Sequence, residues 1–160
     1  MRYPFLLYYN EYGTIDYFYC RLGIVIMSRC VARVSLLVLS YEDALKFYCE
    51  VLDFEIKEDV LLGEDKRWVT IIPKNNGAGG GCEIVLIKAE GDAQRNAVGN
   101  QTADAVAMFL FTDDFQRDYA DMKLRGVRFL EEPRTEPYGT VVVFKDLYGN
   151  HWDLIQPSDA

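Results

Sequence analysis

The residues that could do chemistry in this sequence are few, and two of them lie close together near the carboxyl terminus. His151 is the only histidine among the 160 residues, and Asp153 follows two positions later. In a β-strand, residues i and i+2 project to the same face, so the imidazole and the carboxylate would lie side by side. A histidine can serve as a general base near neutral pH, but one histidine and one carboxylate fall short of the three protein ligands of a tight transition-metal site. His151 and Asp153 are therefore only weak catalytic candidates, and no metal site is predicted.

Two other sequence features are weak evidence for catalysis or phosphate binding. Cys82 could act as a nucleophile near His151, but no flanking signature supports that role and buried cysteines are usually inert. The glycine-rich segment 77–81 lacks the Gly-Lys-Ser/Thr ending of a phosphate loop and leads into a strand. We interpret it as a hairpin loop.

Composition narrows the class of partner. The net charge is −8 and the pI is about 4.7, which argues against a nucleic-acid partner because phosphate binding needs a basic surface. Asn10, Glu11 and Asp16 interrupt the apolar amino-terminal stretch, so neither a membrane span nor a secretory signal is predicted there. The four cysteines show no C-x-x-C spacing and are interpreted as reduced thiols of a cytoplasmic protein; they are Cys20, Cys30, Cys49 and Cys82.

Residues 1–30 differ from the rest, since eight of the 22 aromatic residues lie in the first 19 positions. Met27 precedes the first strongly patterned strand, so one hypothesis makes it the natural start and residues 1–26 an upstream extension. The alternative is an arm that covers a sheet edge or an oligomer surface.

Residues 31–157 read as two copies of one β-α-β-β-β pattern. In module one (31–90), an apolar strand over 31–39 is followed by a helix that Ser40 caps, with Asp43 three residues on. Further strands are predicted over 54–60, 68–72 and 83–88. A polar linker spans 91–104. In module two (105–157), a strand over 105–112 leads to a helix capped by Asp113 or Asp114 and ended by Gly126, and strands follow over 127–130, 140–145 and 151–155. The first strand and helix recur at an offset of about 74 residues.

This repeat resembles the vicinal oxygen chelate superfamily, which includes glyoxalase I, bleomycin-resistance proteins and extradiol dioxygenases. The resemblance covers residues 31–157, and its most specific parts are S-Y-E-D-A-L-K-F-Y at 40–48 and D-x-x-G-N-x-W-D-L at 146–154. It implies an α+β fold in which two tandem βαβββ modules form a curved mixed sheet around a cleft, with the helices on the outer face. In the family, metal ligands arise at four equivalent strand positions.

Carried over one at a time, those positions fall on Arg33, Leu86, Ala107 and Asp153. Leucine and alanine have no donor atom, and arginine is a fixed cation that repels a metal. The resemblance also suggests that Arg33 and Asp153 approach each other where the metal would lie; the alternative places Arg33 at the cleft mouth, in solvent. Strand alternation adds further residues to the cleft face: Ser35, Leu37, Ile84, Phe109 and Phe111. The expected ligand-binding residues are the four carried-over positions, four of these cleft-face residues and His151. They are Arg33, Ser35, Leu37, Leu86, Ala107, Phe109, Phe111, His151 and Asp153.

The favoured interpretation is a metal-independent small-molecule-binding protein, a homodimer that serves in binding, sequestration or resistance. Arg33 would be available to an anionic group of the ligand. Two alternatives stay open. One is a glyoxalase-type lyase, isomerase or dioxygenase whose divalent metal Asp153 helps to hold; the other is a structural or regulatory dimer with a filled cleft. Whether any reaction is catalysed is left open.

Overall fold

The computed structural model describes residues 31–64, 66–74 and 81–158. All the described helices and strands lie within residues 32–160. The hypotheses about residues 1–30, including a start at Met27, concern positions outside the described residues. Within the described ranges, no helix is both long enough and apolar enough to cross a membrane.

The two helices that the repeat predicts begin at their expected capping residues. The Ser40 hydroxyl accepts a hydrogen bond from the Asp43 backbone N–H at 3.2 Å, and helix α1 (Tyr41–Lys46) continues as a π-helical turn over Phe47–Val51. A short helix α2 (Gly91–Ala97) lies between the modules. Asp114 caps helix α3 (Phe115–Leu124) in the same manner, at the offset of 74 residues that the repeat predicts. Gly126 follows with a φ of +85°, which favours glycine at a helix end.

The strands form two mixed sheets, one from each module. The first has the order β1-β4-β3-β2, with β1 and β4 parallel, and the second has the order β5-β9-β8-β6, with β5 and β9 parallel and β7 paired to β8. The expected α+β class with tandem βαβββ modules is confirmed. The strands are β1 (Arg33–Val38), β2 (Phe54–Leu61), β3 (Arg67–Pro73), β4 (Glu83–Lys88), β5 (Val106–Phe111), β6 (Arg128–Phe129), β7 (Arg134–Glu136), β8 (Gly139–Lys145) and β9 (His151–Pro157).

Two short elements were not predicted. Helix α2 lies inside the segment interpreted as a linker, and none of its residues is buried, so it lacks the apolar stripe that signals a helix. Strand β7 lies between the strands predicted over 127–130 and 140–145 and has only three residues. Both elements depend on contacts with other parts of the chain, and the local sequence pattern does not predict those contacts.

The two modules share one hydrophobic core on the helix-facing sides of their sheets. Tyr48, from the turn after α1, packs on Phe54 of its own module and on Trp152 of β9, with ring centroids 5.8 and 6.0 Å apart. Phe54 opens β2, which forms the edge of its sheet opposite β1, and its ring lies 6.2 Å from that of Trp152. The sheets are therefore joined through packed side chains and not through strand pairing.

A buried carboxylate connects the two sequence motifs. Asp146 is 6% exposed and accepts a 2.7 Å hydrogen bond from the Tyr48 hydroxyl and a 3.3 Å bond from Trp152 Nε1. Burial, together with the charge of Asp146, raises the pKa of Tyr48, so the phenol stays a donor. The carboxylate also closes the turn that follows it, by accepting from the backbone N–H groups of Tyr148, Gly149 and Asn150. The motif residues thus hold the modules together.

Candidate functional site

Strand register shows which side chains share the outer, non-helical face of the first sheet. Arg33 pairs with Glu83, and Thr70 pairs with both Val85 and Glu58. Residues at the same level of neighbouring strands project to the same side. We call this surface the module-one face, defined by Arg33, Glu58, Trp68, Thr70 and Glu83.

The module-one face is a closed network of charges around Arg33. Arg33 Nε donates to Glu83 Oε2 at 2.7 Å, and Nη2 lies 3.3 Å from Glu58 Oε2. Trp68 Nε1 donates to the same Glu58 oxygen at 2.6 Å, and the Arg33 guanidinium carbon lies 5.6 Å from the Trp68 ring centroid. Arg33 is therefore engaged by two carboxylates and an indole. Its side chain is also 41% exposed, so Arg33 is both paired with carboxylates and in contact with solvent.

Two residues assigned to the cleft face lie elsewhere. Leu86 is 1% exposed and pairs with Leu36 and Val69 in the core, and Ile84 also belongs to the core. The assignment of Leu86 and Ile84 to the outer face is wrong because the strand register places Val85 there instead. Apolar strand residues alternate in either register, so composition alone could not distinguish the two.

Ser35 and Leu37 lie on the free edge of β1, and the linker covers that edge. The Leu37 backbone N–H donates to Gln101 Oε1 at 2.6 Å, and Gln101 Nε2 donates to the Ser35 carbonyl at 3.2 Å. A single side-chain amide thus makes the two hydrogen bonds that a neighbouring strand would make. Gln101 was not predicted to have this role.

The outer side of the second sheet is the module-two face, which we define by Phe109, Phe111, Arg134, Val143 and Asp153. Phe109 and Val143 are the strand partners of Asp153, and Phe111 lies one step along β5. Phe109 is 59% exposed and Phe111 64% exposed, which is unusual for two neighbouring large apolar side chains. This face thus has the apolar lining and few polar groups of a small-molecule site.

Asp153 is the strand partner of Phe109 and lies in an environment that disfavours its charge. It is 7% exposed, and its Oδ1 atom is buried with no hydrogen-bond partner in the described part of the chain. Burial raises the pKa of Asp153, and the positive charge of Arg134 opposes that shift only in part. Arg134 itself forms ion pairs with Glu131 and with Glu136. The Asp153 carboxyl group is thus a buried acceptor without an internal partner for Oδ1 among the described residues.

The remaining predicted residues of this sheet have more local roles. His151 Nδ1 lies 3.2 Å from the Asp104 carbonyl oxygen. A hydrogen bond between these two atoms requires the imidazole hydrogen to be on Nδ1. No hydrogen bond joins His151 to Cys82 among the residues described. Ala107 is the extra residue where the register of β5 and β9 shifts between Val106 and Met108. Ala107 therefore offers no polar side-chain group, and the polar contact of the His151 imidazole is with a backbone carbonyl.

The hypothesis that Arg33 and Asp153 pair is wrong. Arg33 forms ion pairs with Glu58 and Glu83, and the buried Asp153 oxygen has no partner in the described ranges. The two residues lie on separate sheets whose strands do not pair with each other. The carried-over positions therefore do not form one site within this network of contacts.

The donor set does not fit the divalent metal that the family resemblance implies. At the four carried-over positions the chain has a guanidinium already bound to two carboxylates, two hydrocarbon side chains and one carboxyl. Among residues 31–64, 66–74 and 81–158, no group of three or more His, Cys, Asp or Glu residues is placed to hold a metal ion. A tight site requires at least three such ligands.

Sequence reasoning missed Glu58, Trp68, Glu83 and Arg134. Glu58 follows a register shift in β2 between Ile56 and Glu58, and that bulge decides which face it joins. Glu83 could have been found from its place at the start of a strand parallel to β1, opposite Arg33.

Comparisons with known proteins agree with the fold. The family model described as Glyoxalase/Bleomycin resistance protein/Dioxygenase superfamily matches residues 31–154. An uncharacterized protein of Shewanella frigidimarina (strain NCIMB 400) is 42% identical over 134 residues, which cover 83% of this chain and 97% of that protein.

Two solved structures are similar over nearly their full length. UcmS2 has a TM-score of 0.67 and 28% identity, covering 81% of this chain and 98% of its own. TnmS3, described as an antibiotic binding protein from Streptomyces sp. CB03234, has a TM-score of 0.66 and 29% identity, covering 83% and 99%.

Proposed function

Because the chain belongs to the Glyoxalase/Bleomycin resistance protein/Dioxygenase superfamily, we propose that it binds a polycyclic aromatic small molecule without a metal and sequesters it rather than transforming it. The observation that carries the proposal is the module-two face, where two exposed phenylalanines lie beside a buried carboxyl with an unpartnered oxygen. The similarity to TnmS3, described as an antibiotic binding protein, supports a ligand of the antibiotic type.

Sequestration is favoured over catalysis by the chemistry of both faces. The module-one carboxylates are bound to Arg33, so they are poorly placed to act as bases. The His151 imidazole is directed at a backbone carbonyl. A binding protein needs only an apolar surface and a polar anchor, and the module-two face has both.

The proposal includes a homodimer. Within one chain the two outer faces belong to separate sheets, and Phe109 and Phe111 are exposed. A second copy that sets its module-one face opposite the module-two face would enclose a ligand between two walls. Sedimentation velocity should then give a dimer, and a monomer at micromolar concentration would contradict this part of the proposal.

We also propose a cytoplasmic location, as the cysteine usage predicts. Cys49 is a free thiol. Fractionation of native cells tests the location, and recovery outside the cytoplasm would refute it.

Binding and metal content can be measured on the same purified protein. Calorimetric titration with polycyclic aromatic compounds, antibiotics among them, should give dissociation constants in the micromolar range or below. Elemental analysis should find no stoichiometric transition metal. A protein that binds none of the compounds, or that carries one equivalent of metal required for turnover, would overturn the proposal.

A further inference from the structure

In module one, a single amide covers the edge of β1 that faces away from β4. The Val38 carbonyl accepts from the Ala89 backbone N–H just after β4. Backbone groups alternate in direction along a strand, so those of Ser35 and Leu37 point the other way. Gln101 meets both, because its Oε1 accepts from the Leu37 N–H at 2.6 Å and its Nε2 donates to the Ser35 carbonyl at 3.2 Å. One carboxamide therefore fits a pair of edge groups two residues apart.

In module two, the equivalent edge of β5 has no such cover in the described part of the chain. The Thr112 N–H donates to the Ile155 carbonyl of β9, so the backbone groups of Phe109 and Phe111 point away from β9. These two positions lie 74 residues after the pair that Gln101 binds. Of the described strands only β9 pairs with β5, and no side chain among the described residues bonds to these edge groups. The Phe109 carbonyl and the Phe111 N–H thus form an open pair.

The open edge also lacks the charges that protect exposed strand edges in most proteins. β5 has the sequence V-A-M-F-L-F, without a polar residue, and Phe109 and Phe111 are largely exposed. β2, at the far edge of the first sheet, instead carries Glu55, Lys57 and Asp59. An apolar strand edge with unpaired backbone groups is a binding surface unless something covers it.

We infer that the ligand covers this edge: it is an aromatic lactam or carboxamide whose carbonyl accepts from the Phe111 N–H and whose own N–H donates to the Phe109 carbonyl. Gln101 makes the same two bonds in module one. The inference rests on the proposed function, names the class of ligand and adds a polar contact. Hydrogen bonds at a strand edge lie in the plane of the sheet and the phenylalanine side chains project from it, so a flat ligand held at the edge lies beside the two rings.

Two probes of matched shape test the inference on the full-length protein. Phenanthridinone is a flat lactam with its N–H and C=O on the same edge, and N-methylphenanthridinone keeps the rings and the carbonyl without the N–H. Wild-type protein should bind the lactam at least about fivefold more tightly than the N-methyl compound, measured by calorimetry, because only the lactam donates to the Phe109 carbonyl. Saturation with the lactam should also slow hydrogen exchange of the Phe111 N–H at least about tenfold, measured by NMR, because that group gains an acceptor.

Phe111→Pro and Phe111→Ala form a matched pair of variants. Both remove the ring, but only proline removes the backbone N–H. That N–H points away from β9, and proline is tolerated at such a position of an edge strand. The affinity for phenanthridinone should be at least about fivefold lower in Phe111→Pro than in Phe111→Ala. Equal affinities of the two variants would show that the Phe111 N–H does not hold the ligand and would overturn the inference.

The possible outcomes separate this inference from the proposed function. If the two probes bind wild type equally well, or neither binds while other polycyclic aromatic compounds do, aromatic binding stands and the amide contact is overturned. If no polycyclic aromatic compound binds, both are overturned. Slow exchange of the Phe111 N–H without ligand, becoming faster on dilution, would show that a second copy covers the edge and would also overturn the inference. If Phe111→Pro fails to fold by circular dichroism, the probe preference of the wild type and the exchange measurement decide the question.

Discussion

The outer faces of the two sheets occupy equivalent positions in the repeat. The charged groups of one face are paired within the chain, whereas the other face has exposed rings and a buried oxygen without a partner among the described residues. The module-one face is satisfied internally, because Arg33 neutralises much of the charge of Glu58 and Glu83 and lies over Trp68. The module-two face is open, because Phe109 and Phe111 are exposed and Asp153 retains an unpartnered buried oxygen. The outer face of module one is thus paired internally, whereas the outer face of module two is left open to a ligand.

The largest expected effect concerns the core that supports both faces. Asp146→Ala leaves several buried donors without an acceptor, including Tyr48 and Trp152. We expect it to lower the free energy of unfolding by about 4 kcal/mol, measured by urea denaturation. Tyr48→Phe removes one of these hydrogen bonds and should cost about 2 kcal/mol. A loss below about 1 kcal/mol for Asp146→Ala would show that Asp146 does not hold the modules together.

The second prediction tests whether the open face is the binding face. The double variant Phe109→Ala, Phe111→Ala removes most of the exposed aromatic surface and should weaken binding of polycyclic aromatic compounds about tenfold or more. Because both rings are largely exposed, stability should change little. Leu124→Ala is the control, since Leu124 is an 87% exposed apolar residue at the end of α3. If the control loses as much affinity as the double variant, binding is nonspecific.

The third prediction concerns the charge of Asp153 in the unliganded protein. The folded-state pKa is raised above its ordinary value of 3.8 by burial, so the folded state binds the proton more tightly than the unfolded state. Stability from this group is therefore complete below the ordinary value and is lost as pH rises through the raised one.

Asp153→Asn removes that loss and should raise the free energy of unfolding at neutral pH. The gain over wild type should disappear under acidic conditions. A variant that is less stable than wild type at neutral pH would indicate that the ionised carboxylate has a partner in the folded protein.

The smallest effect is expected on the closed face. Arg33→Met keeps the length of the side chain and removes its charge, but the Arg33 side chain is 41% exposed, so its ion pairs are screened by water. We expect the free energy of unfolding to fall by less than about 1 kcal/mol, and ligand affinity to fall less than in the double phenylalanine variant, because the module-one face would form only the opposite wall of the site. A loss of affinity as large as that of the double variant would show that Arg33 is a principal contact of the ligand.

Local sequence signals predict much of this fold. They do not predict which side chains lie on the outer face of each sheet. The caps at Ser40 and Asp114 and the stop at Gly126 each depend on a few consecutive residues, and the repeat offset relates the first two. The side of the sheet to which Leu86 projects depends on the register between β1 and β4. That register pairs residues that are 50 positions apart in the sequence.

The site was predictable only in part for the same reason. Phe109, Phe111 and Asp153 were placed on one face by simple alternation within their strands, and the structure has them there. The partners of Arg33 could not be placed, because a bulge in β2 selects Glu58 and parallel pairing selects Glu83. Pairing across strands requires the tertiary structure, whereas alternation along one strand does not.

The contact between Tyr48 and Asp146 has a consequence for the synthesis of the chain. It joins residues 98 positions apart, and Trp152, which completes the same cluster, is made later still. A nascent chain that has finished module one therefore lacks the groups that cover its aromatic core. We expect the second copy of the repeat to be needed before the first can fold stably, so the two modules acquire their structure as one cooperative unit despite their similarity.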